Sequence, residues 1–200
     1  LKTSFFFKGL LMLSIGMIVP GINAQSLYVG PNSEFYLDDG LEFTTSNTLV
    51  DVDDNGVFSI SSGNGWGSAQ EYVNGPVKVI GTGQSLLPVG DNGVYAPVNL
   101  DHTGEATARY FNSPPTAGTN GVNVDDVAEV EYWELSGNAV VILPYNSNSE
   151  ISAMVGDNGG VLNAVSVVGL NGGVWDLISA TNTSVVNGDL QNGTVSSDPL

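Results

Sequence analysis

The run Asp51-Val52-Asp53-Asp54-Asn55-Gly56 is the strongest local signal for chemistry in this chain. Oxygen-bearing side chains at alternate positions, followed by Gly, form the first half of a calcium loop. Asp51, Asp53 and Asn55 can converge on one hard cation while Gly56 makes the sharp turn. The second half is missing: the position where a bidentate Glu would close the shell is Ser62, and no helical pattern flanks the loop. An EF-hand is therefore not expected, which leaves a looser calcium site or a solvated acidic hairpin. Asp38-Asp39 and Asp125-Asp126 are further acidic turns.

Other catalytic chemistries find few residues. His102 is the sole histidine and sits in Asp101-His102-Thr103-Gly104-Glu105, which reads as a polar turn. Triads and most zinc sites need a histidine base or several imidazoles. Glycoside hydrolysis needs only two carboxylates. Glu129 and Glu131 lie two apart in a predicted strand and so share a face with Trp133 and Leu135, opposite Val130 and Tyr132. The plain reading is a strand with Val130 and Tyr132 buried and the acids solvated. No catalytic residue is assigned. Trp66, Trp133 and Glu131 are the candidates for binding a glycan by stacking and hydrogen bonding, with Trp175, Tyr95, Tyr110 and Tyr145 as further rings. Large rings in β proteins mostly fill cores, but Trp66 stands among Gly and Ser. There is no Gly-rich phosphate loop followed by Lys and no basic patch.

The composition bounds what such residues can serve. Lys2, Lys8, the apolar run from Phe5 to Val19, the Pro20-Gly21 break and small Ala24 are the parts of a secretory signal peptide over residues 1–24. Cleavage after Ile22-Asn23-Ala24 would leave Gln25 first. The run is short for a helical span of about 20 residues, so no stable membrane span is expected after cleavage. Residues 25–200 then hold two basic residues, Lys78 and Arg109, against 21 acids. That balance argues against nucleic acid and anionic lipid as partners, because both are bound through phosphates. It favours solubility and cation binding. The absence of cysteine excludes disulfide staples, thiol catalysis and Cys-ligated metals.

The elements that must position these residues are strands. Short Val, Ile, Tyr and Phe runs alternate with Gly, Asn, Asp, Ser and Pro clusters, and almost nothing after residue 24 has helical period. Predicted strands include Ser26–Val29, Glu34–Leu37, Val57–Ile60, Val77–Ile80, Ala106–Phe111, Glu129–Leu135, Ala139–Leu143, Ala164–Val168 and Val174–Ile178. Asp54-Asn55-Gly56, Asp91-Asn92-Gly93 and Asp157-Asn158-Gly159 read as hairpin turns, since Asn and Gly both tolerate positive φ. Two regions follow: a short-strand β ladder or solenoid-like unit over residues 25–70, then an antiparallel β-sandwich over residues 71–200. The Gly/Ser-rich stretch Ser61–Gly67 marks the boundary, and the fold class is all-β.

Glu71-Tyr72-Val73-Asn74-Gly75-Pro76-Val77-Lys78-Val79-Ile80-Gly81, leading into Leu87-Pro88-Val89-Gly90-Asp91-Asn92-Gly93-Val94-Tyr95, resembles a passage of large surface proteins exported by the type IX secretion system of Bacteroidetes. Glu131-Tyr132-Trp133-Glu134-Leu135-Ser136-Gly137 and Val167-Val168-Gly169-Leu170-Asn171-Gly172-Gly173-Val174-Trp175 are similar in the same order, so the likeness covers about residues 71–180. The resemblance implies a non-catalytic β-sandwich region of a longer secreted or surface protein, and it brings no catalytic residues. Taken with the composition, it gives the expected function: an extracellular or outer-surface structural or adhesion module, calcium-stabilised if Asp51, Asp53 and Asn55 bind. Its expected partners are other surface proteins or extracellular polysaccharide. The alternatives are a carbohydrate-binding module accessory to a longer enzyme or adhesin, and a carboxylate-based glycoside hydrolase.

Overall fold

The computed structural model describes residues 3–4, 25–38, 48–63, 66–157, 165–178, 185–189 and 191–197. The chain is all-β. Its strands are β1 (Thr3–Ser4), β2 (Gln25–Val29), β3 (Ser33–Leu37), β4 (Thr48–Val52), β5 (Val57–Ser61), β6 (Val73–Asn74), β7 (Val77–Ile80), β8 (Thr82–Leu87) and β9 (Val89–Asp91). They continue as β10 (Val94–Tyr95), β11 (Val98–Phe111), β12 (Thr119–Asn120), β13 (Tyr132–Tyr145), β14 (Val168–Asn171), β15 (Val174–Leu177), β16 (Val185–Gly188) and β17 (Gly193–Ser196). One short helix, α1 (Ile151–Asp157), follows β13. No described helix is long and apolar enough to cross a membrane. Apart from Thr3–Ser4, the expected signal peptide lies outside the described residues, as do Asp39 and most of Asp157-Asn158-Gly159.

The first half of the fold is a two-walled stack. Each pass of the chain lays one strand in one wall, turns a tight corner and lays the next strand in the facing wall. Strands β2, β4, β6 and β9 pair in parallel along the first wall, and β1, β3, β5 and β7 along the second. The period-2 pattern sends one set of side chains between the walls. Val29, Val50, Val52, Val73 and Val89 come from the first wall, and Leu37, Phe58, Ile60, Val77 and Val79 from the second; all are buried. Full burial of a side chain of this size stabilises by about 1.5–3 kcal/mol, so this column is the main source of cohesion.

The second half is antiparallel. The 14-residue strand β11 pairs with β8 along its first part and with β7 along its second, and with β13 along most of its length. A bulge between Thr103 and Ala106 shifts the β11–β13 register, and Gly104 sits in it at φ +83°. Beyond β13 the sheet ends in the β17–β16 hairpin. A separate small sheet runs β12, β15, β14.

The structure differs from sequence expectation at several points. Parallel pairing does not stop at residue 70: β6, β7 and β9 continue it, and one core cluster runs from Val29 to Val141. Antiparallel strand pairing begins at β7, which pairs with β5 in parallel on one edge and with β11 antiparallel on the other. The strands expected over Glu129–Leu135 and Ala139–Leu143 join into one, β13, because β11 supplies partners straight past Gly137. The strand expected at Ala164–Val168 starts instead at Val168. Asp91-Asn92-Gly93 is the hairpin turn its residues predict, with Asn92 and Gly93 at φ +50° and +85° and Asp91 paired with Val94. Asp54-Asn55-Gly56 is not a hairpin. Its flanking strands lie in different walls, so it is a corner of the stack.

The corners tie successive passes together. Asn32 N–H donates to Asn55 O at 2.9 Å, and Asp53 N–H donates to Val29 O at 2.9 Å. Space there is tight: a Cβ on Gly56 would lie 2.8 Å from Gly30 O, and one on Gly75 (φ +131°) would strike the Val52 backbone. Gly104, also at positive φ, faces open space. We therefore expect Gly75→Ala to cost about 3 kcal/mol and Gly104→Ala about 1 kcal/mol. Urea denaturation reads both as a lower midpoint at unchanged slope, and equal losses would show that the corner contact is relieved by adjustment.

Candidate functional site

The acidic corner comes first. Asp51 lies in β4 with Tyr28 of β2 and Asn74 of β6 beside it in register. Its Oδ1 accepts from Asn74 Nδ2 at 3.1 Å. Asp53 turns back on its own loop, where Asn55 N–H donates to its Oδ1 at 3.0 Å; this is the local bond by which Asp stabilises turns. Asp54, which is exposed, pairs with Arg109 Nη2 at 2.7 Å. Each carboxylate thus has a protein donor, and Asn55 contributes its backbone to the corner. Among the described residues no group of three or more His, Cys, Asp and Glu side chains gathers as a cation site. A calcium ion here would share these carboxylates with the bonds from Asn74 and Asn55.

The lone histidine is not in a turn. His102 lies within β11, 1% exposed, because β8 and β13 flank it on both sides. The Gly104 carbonyl, 3.1 Å away, can only accept, so Nδ1 donates to it. Nε2 is 3.0 Å from Ser85 Oγ, which also accepts from Gly63 N–H at 3.1 Å. The Ser–His distance is that of a nucleophile and its base. Ser85 is itself only 4% exposed, and neither residue lines either of the two cavities beside Glu131. The group ties the loop at Gly63 to β8 and β11.

The aromatic and acidic candidates fall into two places. Trp66 packs edge-on against Phe58, with centroids 6.0 Å apart at 70°, at the margin of the core. Trp133 and Glu131 come together at the start of β13. Trp133 Nε1–H donates to Ala96 O at 3.1 Å, and its ring lies 5.1 Å from that of Tyr110. Glu131 Oε2 accepts from the Tyr110 hydroxyl at 2.7 Å. The expected facing of this strand is reversed. Trp133 and Leu135 pack against the core, while Tyr132 stacks on Phe111 on the other face, with centroids 4.5 Å apart. The larger apolar rings decide which face turns inward, and Glu131 follows them into a part-buried position with Tyr110 as its donor.

Glu131 stands between two cavities. The larger, about 760 Å³, is lined by β13, the 115–128 segment, α1 and the β14–β15 hairpin; the smaller, about 170 Å³, holds Tyr110, Asn112, Asn146 and Asn148 around the same carboxylate. Sequence reading placed Glu131 and Trp133 on one strand face and had Tyr110 and Asp125-Asp126 as separate candidates. Their convergence depends on the β11–β13 register, which no local pattern shows.

Two charge effects are clear. Burial pushes the Tyr110 phenol far above the usual tyrosine range, and its bond to Glu131 and the charges of Glu131 and Asp91 push the same way. Asp189 is held below the usual carboxylate range because the backbone N–H groups of Gln191 and Asn192 donate to it. No protein family, curated protein or solved structure matches this chain.

Two outcomes follow from this geometry. The unfolded chain ionises its tyrosines near about pH 10, while the folded chain keeps Tyr110 neutral. Above that pH the unfolded state binds fewer protons, so stability falls as pH rises. Tyr110→Phe removes the titrating group, and denaturation between about pH 9 and 11 should show a shallower decline than in the parent chain. For the corner, melting in calcium at about 1 mM and in chelator should agree within about 1 °C, since only a site favouring the folded state shifts the transition. A rise of several degrees that disappears in Asp53→Ala would establish Asp51, Asp53 and Asn55 as a calcium site.

Proposed function

We propose that this chain is a non-catalytic structural or adhesion module of the cell exterior, exported behind the signal peptide of residues 1–24. The observation that carries this reading is how its reactive side chains are used. The histidine, the corner aspartates and the glutamate nearest the aromatic cluster each hold the fold by a named bond. Support also comes from the sequence: 21 acids against four basic residues, Asn- and Gly-rich turns, and the resemblance to type IX-exported surface proteins. A stack whose passes share backbone bonds along both walls suits a stiff spacer or display element. Its partners on this reading are other surface proteins or extracellular polysaccharide. The carbohydrate-binding alternative loses Trp66, whose ring abuts Phe58, and rests on Trp133 and Glu131, which meet beside the larger of the two cavities.

The test is location and processing in the native cell. Protease added to intact cells should remove the chain while a cytoplasmic marker persists, and mass analysis of the exported form should find Gln25 first. Protection of the chain in intact cells, with digestion only after lysis, would overturn the reading.

A further inference from the structure

The cleft beside β13 has a volume of about 760 Å³, within the range of sites that enclose a small ligand or a side chain. Its charge is one-sided. Asp125, Asp126 and Glu131 line it, and among the described residues no Lys, Arg or His does. Trp133 and Trp175 contribute aromatic surface, and much of the remaining wall is aliphatic.

Each described basic side chain is paired with an acid outside the cleft. Lys78 Nζ is 2.7 Å from Glu34. Arg109 lies opposite Glu134 in the β11–β13 register, but its guanidinium is 2.7 Å from Asp54 and over the Phe111 ring at 4.5 Å. Like charges on a low-dielectric wall reinforce one another's field, and a cation entering an aromatic-lined space also gains from the ring faces.

We propose that this cleft binds the side chain of a lysine or arginine carried on a peptide segment. The hydrocarbon stem would lie along the apolar wall and the charged head would meet the carboxylates. This stands on the cleft alone and does not depend on where the cell places the chain.

The test uses the whole chain, an acetylated and amidated Leu-Lys-Leu tripeptide, and the same tripeptide with neutral norleucine at the centre, read by tryptophan fluorescence. The lysine peptide should give a saturable change, with the norleucine peptide weaker by about fivefold or more. Glu131→Gln, which keeps an acceptor for Tyr110, and Asp125→Asn, at an exposed position, should each weaken the lysine peptide by about fivefold. Asp101→Asn, which removes the same charge from an exposed position on β11, should leave binding unchanged. A melting curve confirms that each variant is folded, and Asp125→Asn decides the matter if Glu131→Gln is not. Equal binding of both peptides, equal weakening by Asp101→Asn, or no saturable change up to about 10 mM peptide would overturn the proposal.

Discussion

The fold depends on a narrow slab of apolar side chains, all but Phe58 branched aliphatic, held between two parallel walls. Val50, Phe58, Ile60, Val73, Val77, Val79 and Val89 are fully buried there, and their spacing fixes almost everything else. For them to meet across the gap, each pass must turn from one wall to the other within a few residues. The corners then have no room for side chains at Gly56 and Gly75. A buried backbone N–H without a partner is costly, so each corner must also bond to the next one, as Asn32 and Asp53 do. Width, corner chemistry and parallel register are one constraint seen from three sides.

That constraint explains why residues suited to chemistry are used structurally. In a stack whose outer faces meet water, a carboxylate beside another pass finds donors at sheet spacing: Asp51 finds Asn74, and Glu34 finds Lys78 and Ser59. Apart from Ser59, which is buried, these groups are part-exposed, and ion pairs of that kind contribute little each. Their value lies in register, because slipping a strand by one residue would turn its acids inward and its valines outward.

The legibility of the fold in the sequence follows from the same physics. Strand existence was readable because it rests on period-2 alternation and turn residues, both local. Val57–Ile60, Val77–Ile80 and Val174–Ile178 lie almost where the pattern puts them. Parallel against antiparallel pairing was not readable across residue 70, since a valine column looks the same in either. Asp54-Asn55-Gly56 and Asp91-Asn92-Gly93 make the point within one chain. The second closes a hairpin with Asn92 at positive φ, while Asn55 is not among the positive-φ residues and its tripeptide turns a corner between walls. His102 was misplaced for a related reason: polar neighbours suggest a turn, yet Asp101 and Thr103 face out of β11 while His102 faces in.

The site was legible as residue types but not as an arrangement. Glu131 and Trp133 stood out from their spacing, yet what they do depends on Tyr110, on the far strand. The β11–β13 register sets Tyr110 opposite Trp133, so one hydroxyl reaches the carboxylate preceding the strand while the rings tilt together. Reversing the face of β13 follows from this pairing, because Trp133 and Leu135 offer the core more apolar area than Tyr132 and Glu134. The acids at this end of the sheet are then left along the cleft, where no described basic side chain answers them. The excess of charge carried by the chain is here set against an apolar wall.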